Sequence, residues 1–106
     1  MSARRLRLVL APDAKADLAE ILLYTQQRWG KQQRAAYKAS IDGALREMAE
    51  FPGLGRTRDE ISSGLRSFPI GSHVIYYRAT DEQLIVARIV HSSRDFSDDG
   101  SALGRI

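Results

Sequence analysis

The sequence predicts an α+β fold in the order β-α-α-β-β-β, with a helical hairpin packed on one side of an antiparallel sheet. Three observations carry that expectation. An alternating run, Arg5-Leu6-Arg7-Leu8-Val9-Leu10, comes near the start of the chain. Two long apolar stripes at helical spacing follow, separated only by the neighbourhood of Gly30. Beyond Pro52 the helical period gives way to short runs that alternate as strands do, within Gly64 to Pro69, His73 to Ala79 and Leu84 to His91.

Leu6, Leu8 and Leu10 share one face of the first strand, and the opposite face is basic. Pro12 suits the first position of a helix, where its missing N–H costs nothing, and Asp13 and Asp17 place negative charge near the positive end of the helix dipole. Ala14, Leu18, Ile21, Leu22, Thr25 and Trp29 recur at helical spacing and Gly30 supplies the stop, which predicts a helix over 12–29. Trp29, on that stripe, is expected to plug the end of the hairpin against the sheet. Leu23 lies almost opposite Ile21, which marks it as an exposed apolar side chain.

Tyr37, Ile41, Ala44, Leu45, Met48 and Phe51 mark the buried stripe of a second helix over about 32–50, ended by Pro52. The short link makes the pair antiparallel. The run from Pro52 to Glu60 reads as a surface loop, with Leu54 and Ile61 available to tuck inward. Strands are expected near 64–69, 73–79 and 84–91, turned by Gly71-Ser72 and Asp81-Glu82. Tyr76 and Tyr77 fit a half-buried strand, with at least one of them in the core. The domain is expected over 1–96, with a polar tail over 97–106.

Composition narrows the function. At 106 residues the chain has room for one domain, which buries about two-thirds of the surface of its unfolded form. The absence of Cys removes disulfides and thiolate sites, and two His without clustered carboxylates predict neither metal nor cofactor. With no apolar run long enough for a membrane span and no apolar leader block, the expected location is cytoplasmic. Net charge is only +3, yet thirteen of the sixteen basic residues are Arg, the side chain suited to forked contacts with carboxylate or phosphate. Arg66, Arg78, Arg88 and Arg94, with Arg56 and Arg58 on the preceding loop, are the candidates for a cationic surface. The alternative is internal pairing, with Glu47, Glu50 or Asp95 as partners for Arg66 and Arg88.

The spaced blocks Ala11-Pro12-Asp13-Ala14, Asp17-Leu18, Tyr24, Trp29-Gly30, Phe51-Pro52-Gly53-Leu54-Gly55-Arg56, Gly64-Leu65-Arg66-Ser67-Phe68-Pro69, His73-Val74-Ile75-Tyr76-Tyr77-Arg78 and Arg88-Ile89-Val90-His91 resemble ParE toxins. These belong to the RelE/ParE superfamily of bacterial type II toxin-antitoxin systems, and the likeness runs from about residue 6 to 95. Two features depart from the pattern. Ala11 stands where relatives often carry a Ser or Thr helix cap, at a cost of about 1 kcal/mol, and the polar tail is longer than in many relatives.

The resemblance implies a toxin that inhibits DNA gyrase and is neutralised by a ParD-like antitoxin in a hetero-oligomeric complex, which reaches operator DNA only through the antitoxin. It implies no membrane partner. RelE-like members of the superfamily are instead ribosome-dependent mRNA endonucleases, and a non-toxic antitoxin-binding protein is a third reading. A metal-independent nuclease needs a base, an acid and cations on the phosphate. His91, with Arg66, Arg88 and Arg94, is the set available for that chemistry, but no Tyr or His follows Arg94 and no lysine-rich loop precedes the sheet. The favoured expectation is therefore a binding protein with no catalytic residue. Leu22 and Leu23, with the basic side of the first strand and the sheet arginines, are the candidate contacts for an acidic, amphipathic antitoxin segment.

Overall fold

Proline and glycine set the helix boundaries. The computed structural model describes residues 5–93, so Arg94, Asp95 and the expected tail lie outside the described residues. Strand β1 (Arg7–Leu10) leads through Ala11 into α1 (Pro12–Trp29). Ala11 caps that helix without a side-chain hydrogen bond, as its methyl group requires. Gly30, at φ +96°, ends α1 and admits α2 (Lys31–Glu50) at once, since that backbone angle carries no penalty for glycine. A 3-10 turn (Pro52–Leu54) then precedes β2 (Arg56–Thr57), β3 (Arg66–Ile70), β4 (His73–Ala79) and β5 (Gln83–His91).

The strands form one five-stranded sheet in the order β1-β5-β4-β3-β2. β3, β4 and β5 pair antiparallel, as expected, and β2 pairs antiparallel with β3, but β1 enters parallel to β5, with Arg7 beside Gln83 and Leu10 beside Val86. The sheet is thus mixed. β2, read from sequence as part of a loop, adds a two-residue rung outside β3 through Arg56 opposite Ser67 and Thr57 opposite Arg66.

The helices cover one face. Ala14 and Ile21 of α1, with Ile41, Ala44, Leu45 and Met48 of α2, pack on Ile75, Tyr77, Leu84, Val86 and Ile89. Leu6 and Leu10 close this core at the β1 edge, while Leu8 stays exposed there. Phe51, expected on the α2 stripe, is exposed because its backbone (φ −128°, ψ 80°) has already left the helix. The opposite face carries a smaller cluster of Leu65, Tyr76 and Val90, joined by Ile61 and Val74, so Ile61 tucks in and Leu54 does not. With both faces covered, Tyr76 and Tyr77 are both buried.

A register shift makes this two-sided packing possible. Tyr77 lies opposite Val86 but Tyr76 lies opposite Arg88, which leaves Ala87 as an extra residue in β5. Such a bulge reverses the alternation of the strand beyond it. Val86 and Ile89 can therefore share the helix-side core, and Val90 reaches the opposite cluster.

Tyr77 also anchors the 3-10 turn. Its hydroxyl accepts from the Gly55 N–H at 2.7 Å and donates to the Pro52 carbonyl at 2.9 Å. A methyl group on Gly55 would come within 2.6 Å of that hydroxyl, so only glycine fits.

Candidate partner-binding site

The sheet arginines are held inside the fold. Arg88, at the bulge, grips Asp17 of α1 with both ends of its fork: Nε donates to Oδ2 at 2.7 Å and Nη2 to Oδ1 at 3.0 Å. The Ile89 N–H donates to the same carboxylate at 2.9 Å, so Asp17 fastens α1 to β5 where β1 has ended. The bond to Asp17 is the main cause that raises the Arg88 pKa above its ordinary value. The expected partners Glu47 and Glu50 are not used by Arg88 in this pair, and Glu50 instead meets Arg5 at 3.7 Å.

Arg66 donates to the Gly55 carbonyl at 2.7 Å, which holds β3 to the segment before β2. Arg78 donates to the Ser63 carbonyl at 3.3 Å and bonds the Ser62 hydroxyl, and Arg58 bonds Glu60 at 2.7 Å while its guanidinium lies 5.8 Å over the Tyr76 ring. Arg56 is exposed at the sheet edge. Since Arg66 pairs with Tyr77 and Arg78 with Ile85, the two arginines project to opposite faces, and the expected single patch divides.

The histidines come together at the far end of the helix-side face. His73 and His91 are cross-strand partners with ring centroids 5.4 Å apart, edge to face. Tyr37 of α2 closes over them. Its hydroxyl donates to the Ile70 carbonyl at 2.9 Å and lies 2.7 Å from His73 Nδ1, an arrangement satisfied when that nitrogen carries the proton and donates to Tyr37. The Ser93 N–H donates to His91 Nδ1 at 3.0 Å, so this nitrogen is an acceptor. Desolvation, and then the neighbouring His91, lower the His73 pKa below its ordinary 6.5. No group of three or more His, Cys, Asp or Glu is placed to hold a metal ion among the described residues.

A groove of about 310 Å³ opens beside this pair, walled by Tyr24, Thr25 and Trp29 of α1, Gln33 and Tyr37 of α2, and Ser72 of the β3–β4 turn. Trp29 does not plug the hairpin end: it is 65% exposed. The hairpin runs past the sheet, as the exposed run over residues 31–36 shows, so the last position of the α1 stripe has nothing beneath it. Tyr24 is 61% and Leu23 57% exposed, whereas Leu22 is only 5% exposed and belongs to the packed interior. The apolar surface offered by α1 is therefore Leu23 and the two aromatics. The grouping of Tyr24, Trp29, Tyr37 and His73 was missed from sequence, because each residue alone fits a core position. The signal available was the long acid-free stretch around Trp29.

No helix among the described residues is long and apolar enough to cross a membrane. The family model for the ParE toxin of type II toxin-antitoxin systems matches residues 8–96. Toxin ParE1 of Mycobacterium tuberculosis is 40% identical over 84% of this chain and 92% of its own length, and Toxin ParE1 of Caulobacter vibrioides is 37% identical over 79% and 86%. Among solved structures, a chain of a chromosomal ParDE system from P. aeruginosa superimposes with a TM-score of 0.70 at 17% identity, over 82% of this chain and 96% of that one. A chain of the RelBE2 toxin-antitoxin complex of Mycobacterium tuberculosis gives a TM-score of 0.54 at 19% identity, covering 83% and 99%. These two show the shared fold, of two helices on a five-stranded sheet. With the family model spanning nearly all of the chain and two curated relatives close to it over most of their length, the chain belongs to the ParE toxin family of type II toxin-antitoxin systems.

Proposed function

We propose that this ParE-type toxin acts by binding, inhibiting DNA gyrase, and that a ParD-like antitoxin neutralises it in a hetero-oligomeric complex. The family match carries this reading. The binding role is supported by the use of the arginines: Arg66, Arg78 and Arg88 each bond a carbonyl, hydroxyl or carboxylate within the fold, where a phosphate-cleaving site would need them directed at substrate. His91 accepts from the Ser93 backbone, which fits a structural role.

For the antitoxin, the surface favoured is exposed Leu23 of α1, together with Arg7 and Leu8 on the outer strand β1. An acidic, amphipathic segment that folds on binding suits such a surface. Operator DNA would be reached through the antitoxin.

The test adds purified toxin to a gyrase supercoiling and cleavage assay, and separately to a translating extract read by primer extension. Stabilised DNA cleavage with intact mRNA is the expected result. Codon-linked mRNA cuts without any gyrase effect would overturn it in favour of a RelE-like ribonuclease.

A further inference from the structure

We propose that the free end of the helical hairpin, where Trp29 and Tyr24 stand among Arg28, Lys31 and Arg34, is a binding surface for single-stranded nucleic acid. This goes beyond the toxin-antitoxin reading, which requires no such contact. Bases would stack on the exposed rings, and the cations would take the phosphates.

Charge distribution is the first support. Residues 21–41 hold four of the sixteen basic residues and none of the thirteen acidic ones, which leaves twelve cations against thirteen acids elsewhere. The whole net positive charge of the protein thus lies at one end of one hairpin. Lys38 is paired with Asp42 at 2.8 Å, and Arg28, Lys31 and Arg34 are exposed. Lys31 and Arg34 are three residues apart on α2 and so are neighbours on its surface.

The second support is that this end of the hairpin does no folding work. Residues 31–36 are exposed throughout, Tyr37 is the first α2 side chain to pack on the core, and Ile41 is the first fully buried. At 1.5 Å per residue the overshoot is about 9 Å. Trp29 at 65% exposure is an unusual surface residue, since tryptophan is mostly buried on average. Arg28 lies 5.6 Å over its ring, so a cation already stands beside the exposed aromatic surface.

Both features together favour nucleic acid over an acidic polypeptide. Carboxylates would use the cations but would leave two flat aromatic surfaces in water, whereas sequence-tolerant stacking combined with a basic track is how proteins hold single strands. Two polar residues, Gln33 and Ser72, line the groove beside these rings.

Trp29 is the chain's one tryptophan, so its fluorescence reports on the site directly. The toxin, free of antitoxin, is titrated with an oligothymidylate of about 12 nucleotides. Saturable quenching is expected, with log affinity falling against log salt at a slope near −2 for three phosphate contacts. In anisotropy with labelled oligonucleotide, Trp29→Ala should weaken binding roughly tenfold or more. Lys31→Gln with Arg34→Gln should flatten the salt slope. All these side chains are exposed, so helicity and unfolding midpoint should stay at the parent values. Trp29→Phe, which keeps a stacking ring, should largely restore binding if Trp29→Ala loses it.

No quenching and no anisotropy change at low salt would overturn the proposal. So would equal competition by polyglutamate, which would mark a surface for acidic protein, or tighter binding of a duplex with Trp29 emission unchanged. None of these outcomes bears on gyrase cleavage, so failure here is distinguishable from failure of the toxin assignment.

Discussion

At Asp17 one carboxylate serves three donors, two from Arg88 and one from the Ile89 backbone, and it joins residues 71 and 72 positions apart. Its side chain and that of Arg88 are 14% and 17% exposed, so the pair is largely but not wholly desolvated. Asp17→Ala is expected to cost about 2–3 kcal/mol in urea unfolding, somewhat below the loss when a fully buried pair is broken. If Arg88→Ala reduces toxicity, its unfolding midpoint should fall too, because Arg88 acts through the fold. His73 supplies a pH dependence. Its folded pKa lies below 6.5 through desolvation first and His91 second, so the unfolded chain binds this proton more readily. Its stabilisation is complete above about pH 6.5 and is lost as pH falls toward the folded value. The groups around it are Tyr37 from α2 and His91 from β5, with Glu20, Asp17 and Arg88 lining the adjoining recess. Urea midpoints measured between pH 7 and 5 should decline in the parent, and less steeply in His73→Gln.

Among the elements, β5 depends on one added residue. Deleting Ala87 would remove the bulge while leaving Arg88, Ile89 and Val90 opposite Tyr76, Ile75 and Val74, so Ile89 and Val90 keep their faces but Arg88 turns to the Tyr76 side, away from Asp17. The expected outcome is a lowered urea midpoint with cooperative unfolding retained, followed by near-UV circular dichroism. The β3–β4 turn is equally constrained. Gly71 sits at φ +55° and a methyl group there would lie 2.6 Å from the Tyr37 ring. Gly71→Ala should therefore destabilise by about 1–3 kcal/mol from backbone strain alone, with more from displacing Tyr37. Thermal unfolding of the variant checks this, and a shift of the His73 imidazole resonances would show that the ring above it has moved.

On the scale of the whole molecule, the two helices pack on one face of the sheet while α1 keeps Leu23 in water and the outer strand β1 exposes Arg7 and Leu8. Binding of a ParD-like antitoxin segment that folds on this surface should bury more than about 1,000 Å² and give a large negative heat-capacity change. Calorimetry over a range of temperatures measures it, and weak association with a negligible heat-capacity change would contradict the coupled-folding picture.

What the sequence determined by itself was the order and extent of the main elements. Pro12, Gly30, Pro52 and Gly71 act on their own backbone, and the apolar periods between them are properties of neighbouring residues, so α1 from 12 to 29 and β4 from 73 to 79 are legible without a fold. The exposure of Leu23 was legible for the same reason. Tertiary structure alone decided the parallel docking of β1 on β5, the rung formed by β2, the bulge at Ala87, and the choice of Asp17 for Arg88. Each depends on residues brought together from distant parts of the chain, and no local period records which distant partner is chosen. Trp29 shows the limit most directly. Its place on the apolar stripe of α1 is local, but whether a sheet lies beneath that place depends on where the strands end relative to the hairpin, and here the helices outreach the sheet.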